Sequence, residues 1–156
     1  VVKPTLVLFA IIISVVASPL VFCYPERPDF QKSPGKLCTT DDPDFEKKRY
    51  GGRVIYCKRN VAWETKAEIL HTYGVPLRER DNYIIDHIIP LSIGGANSIE
   101  NLWPQHLAVK ERLGSIEDDL YEKVSSGSVS QKEAVIEVMF AKFGEGVSVN
   151  HLMFNK

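Results

Sequence analysis

Hydrophobic positions change regime twice along the chain. Leu6–Ala17 is an apolar run interrupted only by Ser14. From Tyr24 to Asn60 the pattern loses any period and fills with Pro, Gly and charge. From about Val61 apolar residues recur at helical spacing: Ala62, Ala67, Ile69, Leu70 and Tyr73 share one face, and Gly74 and Pro76 end it. Tyr83-Ile84-Ile85 predicts a short strand. Ile88–Asn101, with Pro90, Gly94, Gly95 and Asn97, predicts a loop of tight turns. Leu102-Trp103 predicts a second strand and His106–Leu113 a helix, broken at Gly114-Ser115 and resumed over Ile116–Val124. Ser130 followed by Glu133 is a capping-box pattern that opens a last helix running to about Phe143. The expected fold class is α+β, mostly helical. The expected division is a leader over 1–23, an extended segment with a closed loop over 24–60, the main domain over 61–145 and a tail over 146–156.

The first run has the length of a signal-peptide core, roughly 7–15 residues, rather than of a membrane span of about 20. Lys3 supplies its positive flank, and Val15-Val16-Ala17 or Val21-Phe22-Cys23 offers a cleavage site. The expectation is export to the periplasm or the medium, with no stable membrane partner after cleavage; the alternative is a retained N-terminal anchor. Cysteine usage agrees. Of Cys23, Cys38 and Cys57, cleavage after Cys23 leaves one pair. A Cys38–Cys57 bond would close a polar, turn-rich stretch and contribute on the order of 3 kcal/mol. Free thiols or metal ligands are the other readings of this pair, although no CxxC occurs.

The 156 residues, 44% hydrophobic and 25% charged, suit one domain with a sizeable core. A formal net charge of −1 provides no global field that draws in nucleic acid. The charges are segregated, however. Lys47, Lys48, Arg49, Arg53, Lys58, Arg59 and Lys66 cluster with Glu64 as the only acid between them, whereas acids dominate from Glu111 to Glu145. Such a basic stripe suits a phosphate backbone, and a solvated loop is its structural alternative.

Chemistry concentrates in Tyr83–His106, YIIDHIIPLSIGGANSIENLWPQH. Asp86 is a hard oxygen ligand for Mg²⁺-like ions, and a neutral His87 is a base that works near pH 7. Gly94-Gly95 lets the loop fold back, and Asn101 and His106 return polar groups before a helix. Together these are the parts of a metal-assisted phosphodiester hydrolase. The spacing of Asp86, His87, Pro90, Gly94, Gly95, Asn97, Asn101, Leu102, Trp103 and Pro104 resembles the HNH (His-Me finger, ββα-metal) nucleases. The stretch from Cys38 to Phe143, with Cys38-Thr39, Asp42-Pro43-Asp44-Phe45, Cys57 and Arg59-Asn60 ahead of the finger, is similar to small exported bacterial members with an NLWPQ motif.

The resemblance implies a ββα-metal finger within the 61–145 domain. It implies His87 as general base, Asp86 as metal ligand, and Asn101 as the residue that braces the loop and helps orient the imidazole. The cofactor would be a divalent ion, Mg²⁺ or Mn²⁺, with Ni²⁺ or Zn²⁺ as alternatives. The substrate would be nucleic acid, DNA ahead of RNA, cut with low sequence specificity. One position departs from the family. Nine residues after Asn101, where many members carry a His or Asn ligand, stands Lys110. His106, about one helical turn earlier, is the expected replacement ligand. Lys110 is then expected to contact substrate phosphate, together with Arg80, Arg59 and Lys58. Arg78 is a weaker phosphate candidate, His71 reads as structural, and His151 has no identifiable partner. Trp103 and Tyr83 read as finger core rather than as stacking platforms. Two other readings stand beside the nuclease: a catalytically inactive nucleic-acid-binding module, and an exported protein-interaction domain on the same scaffold.

Overall fold

The computed structural model describes residues 24–144. The expected leader 1–23 with Cys23, and the tail 146–156 with His151, lie outside the described residues. Among the described residues no helix is long and apolar enough to cross a membrane.

Among the described residues the chain builds two antiparallel hairpins and four α-helices. Strands β1 (Phe45–Arg49) and β2 (Val54–Cys57) form the first hairpin, and α1 (Trp63–Thr72) follows it. Strands β3 (Tyr83–His87) and β4 (Leu102–His106) form the second, after which α2 (Leu107–Leu113), α3 (Ile116–Ser126) and α4 (Gln131–Phe143) complete the domain. This mixed architecture, with a ββ hairpin leading into a helix, agrees with the expected α+β ββα finger. The capping box at Ser130 and Glu133 is formed in both directions, and α4 starts where it predicts.

Sequence reading missed the first hairpin. Its β1 strand, FEKKR, is almost wholly exposed and shows no alternation, as suits a charged edge strand. The turn between the strands runs through Tyr50, Gly51 and Gly52, all at positive φ. Tyr50 holds this unfavourable backbone through its hydroxyl, which donates to Ser92 O at 2.9 Å. The Cys38–Cys57 disulfide is present and fixes the end of β2.

Packing and backbone bonds run across residue 60. Val54 of β2 belongs to the same buried cluster as Ile88, Ile89, Ile93, Trp103, Leu120 and Val138. The stretch before β1 is sewn to the finger loop by backbone bonds: Gly35 N–H to Glu100 O, Cys38 N–H to Gly94 O, and Ala96 N–H to Lys36 O. Segment 24–60 therefore forms one wall of the domain. Before β1 it reads as irregular because several of its backbone bonds run to the distant finger loop.

The two strands of the finger are longer than the apolar pairs that announced them. Register runs from Tyr83 opposite His106 to His87 opposite Leu102. Pro104 and the polar Gln105 disguise β4 in the sequence. The loop between the strands is clamped by Asn101, which is fully buried. Its Oδ1 accepts from Ile89 N–H at 2.9 Å, and its Nδ2 donates to Ile89 O at 3.0 Å and Ala96 O at 2.9 Å. Gly95 makes this clamp possible, because a Cβ there would collide with the Ile89 carbonyl oxygen.

Candidate active site

Asp86 and His87 close β3 and, as strand neighbours, face opposite sides. Each side has its own polar cluster.

On the Asp86 side a lysine from the far end of the chain enters the core. Lys142 on α4 is only 2% exposed. Its ammonium donates to Asp86 Oδ2 at 2.8 Å, to Glu117 Oε1 at 2.7 Å and to the carbonyl oxygen of His87. An ammonium has three donors, and here all three are used. One cation thus ties α4 and α3 to the end of β3. The two carboxylates exceed it by one formal negative charge. They border an open cleft of about 420 Å³ that is also lined by Arg59, Gln105, Lys110 and Asp118.

Sequence reading missed both Lys142 and Glu117. A signal existed for the lysine. Val135, Val138, Met139 and Lys142 fall on one face of α4 by i, i+3, i+4 and i+7 spacing, so the periodicity itself sends Lys142 inward. An isolated inward lysine implies acidic partners.

On the other side, His87 is 3% exposed. Its Nε2 lies 3.0 Å from Asn97 Oδ1. The Asn97 amide is oriented by its own donors, since Nδ2 donates to Lys58 O at 2.7 Å and to Asp44 Oδ2 at 3.0 Å. Asn97 Oδ1 therefore faces the ring, and Nε2 must carry the proton. Nδ1 is then the basic nitrogen of the neutral imidazole. Burial holds the His87 pKa below its usual 6.5, Arg59 and Lys142 push the same way, and the Asn97 bond and Asp86 oppose them. The network continues outward, as Asn60 Nδ2 donates to Asp44 Oδ1 at 2.7 Å.

The structure places two of the expected site residues as follows. Asn101 is expected to brace the loop and help orient the imidazole; its side chain bonds the loop backbone, and Asn97 is the side chain bonded to the ring. Asn97 had been read only as a turn residue of the motif. His106 was expected to share a metal with Asp86. It stands opposite Tyr83, at the far end of the hairpin from His87. There it caps α2, its Nδ1 accepting from Ala108 N–H at 3.2 Å. Its ring stacks on Tyr24 at 3.9 Å and meets Tyr83 edge-on. The physical reason is the direction of α2. The helix leaves the Tyr83 end and runs back, so Lys110 returns to the Asp86 cleft and the residue before its first turn does not.

Of the other expected contacts, Arg59 donates to Ile85 O and lines the Asp86 cleft. Lys58 and Arg59 also line a cleft of about 400 Å³ with Asp44 and Asn60. Arg80 and Arg78 are exposed and paired with their neighbours Asp81 and Glu79. Arg53 serves structure, bonding Tyr50 O and Ser125 O.

Two places gather metal-ligand types. Cys38, Asp42 and Cys57 lie close together, but the sulfurs are bonded to each other, and Asp42 Oδ2 accepts from Thr39 N–H and Oγ1. That cluster is a disulfide corner. Around the Asp86 cleft the candidate ligands are carboxylates, with no His or Cys in the lining. Such a donor set suits Mg²⁺ or Mn²⁺, which need one or two carboxylates with water and phosphate, and gives Ni²⁺ or Zn²⁺ no nitrogen or sulfur.

Residues 55–107, from β2 through the finger to the start of α2, match the family model described as HNH endonuclease. Comparison with curated proteins and with solved structures returns no match.

Proposed function

We propose that this protein is an exported endonuclease that hydrolyses phosphodiester bonds of nucleic acid, with His87 as general base, Asp86 as metal ligand and a divalent ion, Mg²⁺ or Mn²⁺, as cofactor. The observation that carries the reading is the His87–Asn97 bond at the end of β3. It fixes the imidazole as a donor at Nε2 and leaves Nδ1 to take a proton from water, and the depressed pKa keeps that nitrogen unprotonated at neutral pH.

Asp86 and Glu117 are the residues that would hold the ion. When bound, it would supply charge stabilisation to the phosphate and the leaving oxygen. Lys142 fixes the rotamer of Asp86, and its charge lowers the cost of crowding two carboxylates with a phosphodiester. Lys110 and Arg59 stand in the same cleft and would pair with phosphate oxygens. DNA is the proposed first substrate, with low sequence specificity, because among the described residues no element is shaped to read a groove.

A second reading, a nucleic-acid-binding module without activity, draws support from the same lysines: an ammonium already satisfies Asp86, and Lys110 stands where a helical ligand would be. Plasmid nicking separates the two. The nuclease reading expects nicking with Mg²⁺ or Mn²⁺ that EDTA abolishes. Retarded but intact plasmid in every arm would establish the binding module instead.

A further inference from the structure

A second cleft, of about 510 Å³, adjoins the Asp86 cleft and shares Arg59, Ile84 and Ile85 with it. Tyr83, Ile84 and Ile85 of β3 line its floor. Its wall is one face of α1, where Trp63, Lys66 and Leu70 follow i, i+3, i+7 spacing. Arg80 and Asp81 close the far side. Two features of this cleft are unusual together. Trp63 is 61% exposed, although a tryptophan gains far more from burial than it does here. Three cations, Arg59, Lys66 and Arg80, line the space against a single carboxylate, in a chain whose net charge is −1.

An exposed indole flanked by cations matches one kind of ligand chemistry: an unstacked base with phosphates on either side. The volume is that of a small-ligand pocket rather than of a groove that cradles a duplex. In a duplex the faces of the bases are covered by their neighbours, so only a single strand presents a face to Trp63. Arg80 lies 6.0 Å from the centre of the Trp63 ring, at the edge of cation–π range, and does not seal the indole.

We infer that this cleft is a binding subsite for single-stranded nucleic acid, in which Trp63 stacks a base while Lys66, Arg80 and Arg59 hold the flanking phosphates and lead the strand toward Asp86. The inference rests on the nuclease reading only for the direction of the strand. It refines the substrate class from nucleic acid in general to single strands or locally opened duplex.

The test uses the full chain with EDTA present to prevent turnover. Short oligothymidylate, oligouridylate of equal length and a blunt duplex of the same length are titrated while tryptophan emission is followed. Trp103 is buried, so a change on binding reports Trp63. Both single strands are expected to quench emission and to bind at least about tenfold tighter than the duplex. Preference between them assigns DNA or RNA. Trp63→Ala should weaken single-strand binding roughly 5- to 150-fold, Trp63→Phe should recover most of it, and Lys66→Ala should flatten the salt dependence. Equal affinity for duplex, or equal loss in Trp63→Ala and Trp63→Phe, would overturn the subsite. Plasmid nicking is scored separately. Nicking without single-strand preference refutes the subsite and leaves the nuclease, and single-strand binding without nicking does the reverse.

Discussion

The finger carries a histidine at each end, and the two differ in every respect that matters for chemistry. His87 ends β3 at the closed end of the hairpin. It is buried, bonded at Nε2 to Asn97, and follows a carboxylate that an ammonium holds in place. His106 ends β4 at the open end. It is half-buried between Tyr24 and Tyr83 and spends its Nδ1 on the first turn of α2. Both residues are imidazoles on the same two-stranded ribbon. What separates them is what arrives from elsewhere: α3 and α4 bring Glu117 and Lys142 to one end, and aromatic rings and a helix start meet the other. The candidate site is a product of tertiary packing, and residue type alone does not mark it.

The sharpest way to perturb the reactive end without touching the histidine is Lys142→Met. It removes the partner of a partly buried carboxylate and is expected to cost about 3 kcal/mol of stability, somewhat less than a fully buried pair because Glu117 remains solvated. Mg²⁺ should then stabilise the variant more than it stabilises the wild type, since the ion replaces the missing charge. Thermal melts with and without Mg²⁺ measure both. Equal metal shifts in the two proteins would separate Asp86 from metal binding.

Reduction of Cys38–Cys57 should cost a similar amount, about 3 kcal/mol, but its effect should fall on the first hairpin rather than on the finger. Hydrogen exchange in the Cys38→Ser, Cys57→Ser double variant should show faster exchange in β1 and β2 with β3 and β4 little changed. Uniform loss of protection would mean that the hairpins unfold as one unit.

His106→Ala is expected to cost on the order of 1 kcal/mol, from a lost cap and a lost ring contact. A metal titration by calorimetry should give the wild-type affinity. A weaker affinity would return His106 to the metal.

The smallest effect concerns pH. The folded His87 pKa lies below 6.5, so between the two values the unfolded chain binds a proton that the folded chain does not. Its contribution to stability is therefore complete above pH 6.5 and declines as the pH falls toward the lower folded value. In metal-free protein the melting temperature should drop from pH 7 to pH 5 more steeply in the wild type than in His87→Gln. Parallel curves would mean that burial does not shift this group.

Elements with local signals were legible in the sequence. The capping box at Ser130, the stop at Gly74 and the apolar starts of β3 and β4 all reside in neighbouring residues. The motif placed Asp86, His87 and Asn101 in the finger. What was hidden depends on distance along the chain. Lys142 reaches Asp86 across 56 positions, and Asn97 is oriented by Asp44 across 53. The ligand argument for His106 rests on helical spacing, whereas the residue belongs to the strand before the helix. Strand β1 was hidden because its pairing, not its composition, makes it a strand.

The contrast between the two histidines is tested most directly by plasmid nicking in Mg²⁺ with His87→Ala and His106→Ala side by side, each shown to be folded. With His87 as the general base, His87→Ala should fall roughly 10²- to 10⁴-fold below the wild type, while His106→Ala should stay within a few-fold of it. Wild-type nicking by folded His87→Ala, or a larger loss in His106→Ala, would contradict the account.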